Sequence, residues 1–230
     1  MAAPSRIVQH AIVGGGVIGA SSLYHVVRRM RDAGAGGSVC LIERDPAGLA
    51  SGSTAKSAGL VLVNAHAAPI SRHMALRTIA DMAEMRDEFG MQIDYHQVGS
   101  LKGDSHEVLD GMVDANQLTH CYHSAARAMA DQSGGEIVVE TLLGHNVHGV
   151  QRGTGTVELD LRPVDRNASS QEDVSVVTAT SVINATGPAA DRLCRHPISF
   201  ALLRSQYWEF LTAGAPLPAS QPVVVLPDAY

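Results

Sequence analysis

Hydrophobic positions along the chain change period from strand to helix and back within the first 45 residues. Residues 7–13 (IVQHAIV) form a short apolar run that predicts a strand. Residues 17–33 place Val17, Ile18, Leu23, Val26, Val27 and Met30 on one helical face, and GAGG at 34–37 stops that helix. Residues 38–43 (SVCLIE) are apolar and β-branched and end in an acid, the pattern of a strand buried on both faces. The three form a βαβ unit. Small and polar residues at 46–59 predict a loop leading into another helix. A helix is expected over 71–89, where Met74, Ile79, Met82 and Phe89 stand among charges, and a strand over 94–103. A further helix is expected over 115–131, then strands at EIVVETLL and, antiparallel, at GTVELDLRPV. Residues 166–173 (RNASSQED) read as a polar turn, residues 175–187 as two short strand-like runs, and QYWEFLT as a last strand. No internal repeat is visible.

Composition narrows the class. The 230 residues are 45% hydrophobic and 17% charged, as in a globular protein with a substantial core. A net charge of −6 argues against a nucleic-acid binder. Cys40, Cys121 and Cys194 lie far apart with no CxxC pair, which points to reduced thiols and to the cytoplasm or mitochondrial matrix. No apolar stretch has the length of a membrane span, and MAAPSRIVQH is too short and polar for a secretory signal.

The candidate chemistry sits at the first strand–helix junction. Gly14, Gly16 and Gly19 form G-x-G-x-x-G after a predicted strand and at the opening of a predicted helix. There Gly14 would permit the tight turn, Gly16 the approach of a pyrophosphate, and Gly19 close packing of helix on strand. The helix N-terminus would offer free N–H groups and the positive end of its dipole to the phosphates. Glu43, at the end of the second strand, can accept hydrogen bonds from ribose hydroxyls, and its charge disfavours a 2′-phosphate, so NADP does not fit. NAD and FAD both do.

The residues that follow resemble one family. ERDPAGLASGSTAKSAGLV at 43–61 is similar to the D-amino-acid-oxidase-like (DAO) superfamily of FAD-dependent oxidoreductases, in particular its glycine, sarcosine and dimethylglycine oxidase or dehydrogenase branch. Four later segments agree in order: VGSLKGDS at 98–105, the stretch 110–140 from DGMVD to EIVVE, SVINATGPAADRL at 181–193 and LLRSQYWEF at 202–210. The segment between Lys102 and Asp110 is shorter than the family's, and the family continues beyond LPDAY, so the chain is expected to lack the family's C-terminal third.

The resemblance implies an α/β fold, a Rossmann-like FAD-binding domain over 1–65 and 110–195 interleaved with a partial antiparallel substrate domain over 66–109 and 196–230. It places Gly14, Gly16, Val17, Ile18 and Gly19 on the pyrophosphate loop and Glu43 and Arg44 at the adenosine end. Ser51, Thr54, Lys56, Ser57, Ala58 and Gly59 fall on the segment that wraps FAD, and Thr186 and Gly187 on the closing turn. Val147 matches the valine whose backbone touches adenine. Lys56 stands where the dimethylglycine dehydrogenase branch carries the histidine that bonds FAD covalently, so non-covalent FAD is expected. The implied activity is oxidation at the C–N bond of a small amine or amino acid, with oxygen or an electron-transfer protein as acceptor. The alternatives are a catalytically inactive dinucleotide-binding or interaction protein and, against the 51–59 segment, a nicotinamide dehydrogenase. No catalytic base stands out; His66, Arg72 and His96 lie in the substrate segment without a pattern that assigns one. His120 with His123 and His145 with His148 have helix-type metal spacing but no completing ligand. Asn167-Ala-Ser and Asn184-Ala-Thr match the glycosylation pattern by chance in this reading.

Overall fold

The structure, a computed structural model, describes residues 5–63, 69–102, 105–164, 175–194 and 223–225. In chain order the elements are β1 (Ser5–Val13), α1 (Val17–Asp32), β2 (Gly37–Ile42), β3 (Leu60–Val61), α2 (Pro69–Phe89), β4 (Tyr95–His96), β5 (Ser100–Lys102) and β6 (Ser105–Glu107). There follow β7 (Gly111–Val113), α3 (Ala115–Gln132), β8 (Ile137–Leu142), β9 (His145–Arg152), β10 (Val157–Pro163), β11 (Ser175–Asn184) and β12 (Val223–Val225). The chain divides into two compact units, Met1–Ala55 with Tyr122–Leu202 and Lys56–Cys121 with Leu203–Tyr230.

The first unit is built on a six-stranded sheet in the order β8-β2-β1-β11-β10-β9. β8, β2, β1 and β11 run parallel, β10 pairs antiparallel with β11, and β9 pairs antiparallel with β10. β1 and β2 lie inside this sheet, which is why Ala11, Ile12, Val13 and the run Val39–Ile42 are buried without polar alternation. Ala11, Val13, Cys40 and Ile42 join Leu159, Leu161, Val177 and Ala179 in one cluster. α1 buries Leu23, Tyr24, Val27 and Met30, and Tyr24 meets Tyr122 with ring centroids 5.5 Å apart. The helix ends in a Schellman arrangement: Gly34 N–H donates to the Arg31 carbonyl and Ala35 N–H to that of Met30.

The second unit holds α2 and two small sheets, β3-β7-β4, which is antiparallel, and β12-β5-β6. Its buried Asp110 carboxylate accepts from Val63 N–H at 2.6 Å and from the Ser100 hydroxyl, holding β5 against the approach to β7. α2 buries Asp81, Met82 and Met85, and Arg77 lies 2.6 Å from Asp81 one turn on.

The α/β class and the opening βαβ unit are as the sequence predicts. Three expectations change. The strand expected over 94–103 is two strands in different sheets, because Gly99 at φ +72° turns the chain between β4 and β5. The two runs expected over 175–187 are one strand, β11, since its threonines are good strand formers and β1 pairs along its length. β9 was not expected: HNVHGVQR is a half-polar edge strand with a register shift opposite Asp160 and Leu161, so its apolar alternation is weak. The turn at 166–173 and the QYWEFLT strand lie outside the described residues.

Candidate functional site

The first unit brings the end of β1, the start of α1, the end of β2 and the end of β11 to one edge of the sheet. Gly14 leaves β1 at φ +112°, its N–H donating to the Ile42 carbonyl at 2.8 Å. A Cβ on Gly14 would lie 2.3 Å from the Ala185 carbonyl oxygen, and one on Gly19 would lie 1.8 Å from the Gly14 carbonyl oxygen. Both glycines are therefore required by backbone packing alone.

Gly16 differs. It is the N-cap of α1 with φ −75° and ψ −177°, ordinary extended backbone open to any residue. A Cβ there would meet only the Thr54 hydroxyl, at 3.0 Å. The fold makes little demand for glycine at this point, and the space over Gly16 is the cradle that a bound phosphate would need. α1 has no acidic residue in its first turn and no side-chain cap from Gly16. The Val17 N–H is instead met by Thr54 Oγ1 at 3.1 Å, a hydroxyl brought from the 3-10 turn Thr54–Lys56. Ile18, on the same turn, is 57% exposed, an apolar side chain left open at the loop.

Glu43 closes the other side. Its carboxylate accepts from Gly15 N–H at 2.5 Å and from Asp45 N–H at 2.8 Å. Its backbone is gripped between strands, Glu43 N–H donating to Leu142 and His145 N–H to Glu43. Val147 follows in β9, half-buried, paired with Leu161 and packed on the sheet cluster. Ala47 N–H, then the Ser51 hydroxyl and last the Arg44 guanidinium hold the exposed Asp45 carboxyl below its usual range. Ala50 N–H donates to the Gly15 carbonyl at 2.9 Å, with Ala50 itself at φ +62°.

Of the remaining expected site residues, Arg44 and Ser51 are exposed beside this loop. Thr186 and Gly187 follow β11, and Ala185 N–H donates to the Val13 carbonyl at 2.8 Å, so this turn abuts the glycine loop. Lys56, Ser57, Ala58 and Gly59 belong to the second unit. Lys56 and Ser57 are exposed, and Gly59 is buried where a Cβ would lie 1.8 Å from the Val113 carbonyl oxygen, a packing reason for glycine. His96 is exposed on β4, Arg72 lies on α2, and His66 lies outside the described residues. Among the described residues no three His, Cys, Asp or Glu side chains form a metal set. His123 bonds Thr141 and His145 bonds the Leu143 carbonyl, each at 2.8 Å.

Two participants escape sequence reading. Gly15, the unassigned centre of the motif, is tied at both N–H and C=O; its contact with Glu43 is visible only once β1 and β2 pair. Asn184 braces the closing turn through its amide.

The glycine loop, the open helix N-terminus and the acid at the end of β2 fit the pyrophosphate and ribose of a dinucleotide. Residues 9–110 match the sequence profile of the family described as FAD dependent oxidoreductase, DAO. No curated protein matches the chain by sequence. Among solved structures, glycine oxidase from Geobacillus kaustophilus superposes with a TM-score of 0.59 at 18% identity, over 82% of this chain and 57% of that one. Glycine oxidase from Bacillus cereus gives 0.57 at 21% identity, over 81% and 57%. L-proline dehydrogenase from P. horikoshii gives 0.61 at 15%, over 83% and 55%. The chain thus spans little more than half the length of these structures, and at such identities the likeness is one of fold. FAD is the cofactor for which this family is described, and the loop just outlined suits its ADP half. Residues 9–110, which hold the glycine loop, Glu43 and the segment after it, are thus the part of this chain that matches the DAO family of FAD-dependent oxidoreductases.

Proposed function

We propose that the protein binds FAD without a covalent bond and serves oxidation at the C–N bond of a small amine or amino acid. The observation that carries the cofactor half of this reading is Gly16: extended backbone, a Cβ position bordered only by the Thr54 hydroxyl, and a helix N-terminus with no acid in its first turn. FAD, when bound, supplies a two-electron oxidation of the carbon next to an amine. This chain's own residues bind and orient. The N–H groups at the start of α1 would face the pyrophosphate, and the Glu43 carboxylate would exchange Gly15 and Asp45 N–H for ribose hydroxyls or share itself among them. Lys56 offers a flavin no histidine for attachment. Oxygen or an electron-transfer protein would serve as acceptor, and three free cysteines suit the cytoplasm or mitochondrial matrix.

The test is reconstitution with FAD, then anaerobic mixing with glycine, sarcosine, dimethylglycine and proline while the visible flavin absorbance is followed. Bleaching by one of these amines supports the reading. A protein that binds FAD but is bleached by none supports a second reading, a dinucleotide-binding module without turnover.

A further inference from the structure

Asn184 is the last residue of β11, and every hydrogen-bonding position of its side-chain amide is used. Nδ2 donates to the Ala190 carbonyl at 2.7 Å and to Cys194 Sγ at 3.7 Å. Oδ1 accepts from the Thr186 hydroxyl at 2.7 Å and from Thr186 N–H at 3.3 Å. Thr186 N–H can only donate and the Ala190 carbonyl can only accept, so the amide's orientation is fixed. An asparagine whose nitrogen is so engaged is no glycan acceptor, and Asn184-Ala-Thr has another use.

That use follows from what the amide spans. Oδ1 fixes the start of the closing turn, and Nδ2 ties in the 3-10 segment Gly187–Leu193 that follows. The turn lies on the glycine loop: a Cβ on Gly14 would meet the Ala185 carbonyl oxygen at 2.3 Å and Thr186 N at 3.1 Å. Gly187 leaves the turn exposed at φ +58°, with nothing within 4 Å of a Cβ. We infer that Asn184 is a positioning residue for the cofactor: its amide brace sets the 185–187 turn against the pyrophosphate loop and so sets FAD affinity. The inference rests on the FAD reading above.

The test compares Asn184→Asp with Asn184→Ala, by FAD fluorescence titration between pH 4 and 8 and by melting of the apoprotein. At pH 7.5 both should bind FAD about tenfold more weakly, the loss expected when two or more hydrogen bonds are removed. As pH falls, the aspartate gains a proton and can again donate to the Ala190 carbonyl. Asn184→Asp should then recover toward wild type at pH 4, near the ordinary aspartate value of about 3.9, while Asn184→Ala should not. Mere loss of stability would lack this pH signature. Thr186→Ala removes one arm only and should weaken FAD about threefold, which keeps the test open if Asn184→Ala fails to fold. Wild-type affinity in these variants, or no difference between Asp and Ala at low pH, would overturn the inference. Wild-type protein that binds no FAD would overturn the reading beneath it.

Discussion

Gly14→Ala and Gly16→Ala should fail in opposite ways. At Gly14 a methyl group would sit 2.3 Å from the Ala185 carbonyl oxygen on backbone at φ +112°. Left-handed backbone costs an L-residue about 1–2 kcal/mol, and forcing a methyl into backbone costs about 1–3 kcal/mol more. The sum, about 2–5 kcal/mol, corresponds to a fall in Tm of about 5–15 °C in a chain of this size. At Gly16 the backbone is extended, and the methyl group meets only a rotatable hydroxyl at 3.0 Å. The lost N-cap preference and the stiffer unfolded chain nearly cancel, each about 0.5–1 kcal/mol. Apo Gly16→Ala should therefore melt within about 2 °C of wild type. Its methyl occupies the phosphate approach, so its FAD Kd should rise at least about tenfold. The assay is thermal melting of both apoproteins beside FAD fluorescence titration. Wild-type FAD affinity in Gly16→Ala would refute the phosphate cradle, and wild-type stability in Gly14→Ala would refute the packing of loop on closing turn.

Other consequences are as direct. Glu43→Ala should weaken FAD at least about tenfold, since charge-assisted hydrogen bonds contribute about 1.5–3 kcal/mol; its apoprotein should also lose stability, because Gly15 N–H is left without its acceptor. Burial first, then the Glu140 charge, pushes the Cys40 thiol up to about 12, and burial first, then the Asp110 charge, pushes the Tyr95 hydroxyl up to about 12. Both hold their protons more tightly folded than unfolded. Their contributions are complete below the unfolded values, about 8.5 and about 10, and are lost as pH rises toward 12. The Tm should fall from about pH 9 upward, less steeply in Cys40→Ala. In native protein Cys194 should react with a thiol reagent well before buried Cys40 and Cys121. Acid precipitation of FAD-loaded protein should leave the flavin in the supernatant; flavin in the pellet would refute non-covalent binding.

The parts of this molecule governed by local pattern were legible in the sequence. The buried β2 run and the glycine spacing recur in the structure within a few residues, and of the expected α1 face Leu23, Val27 and Met30 are buried while Ile18 is exposed. What depends on distant partners was not. β9 is held by its pairing with β10, so HNVHGVQR shows little by itself. The strand at 94–103 reads as continuous until Gly99 is seen to send its halves into separate sheets. At the site, Gly14, Gly16 and Gly19 were legible as a motif, but the separation of packing glycines from the open one needed coordinates. The Thr54 hydroxyl at Val17 N–H joins positions 37 residues apart, and no local signal marks it.

The central claim is that the glycine loop, α1 and Glu43 hold the ADP half of FAD. Calorimetric titration of the purified protein with FAD, ADP and FMN tests it most directly. FAD and ADP should bind at one site and compete, while FMN, which lacks the adenosine and the second phosphate, should show no measurable binding. FMN binding as tightly as FAD, or FAD failing to bind, would contradict the account.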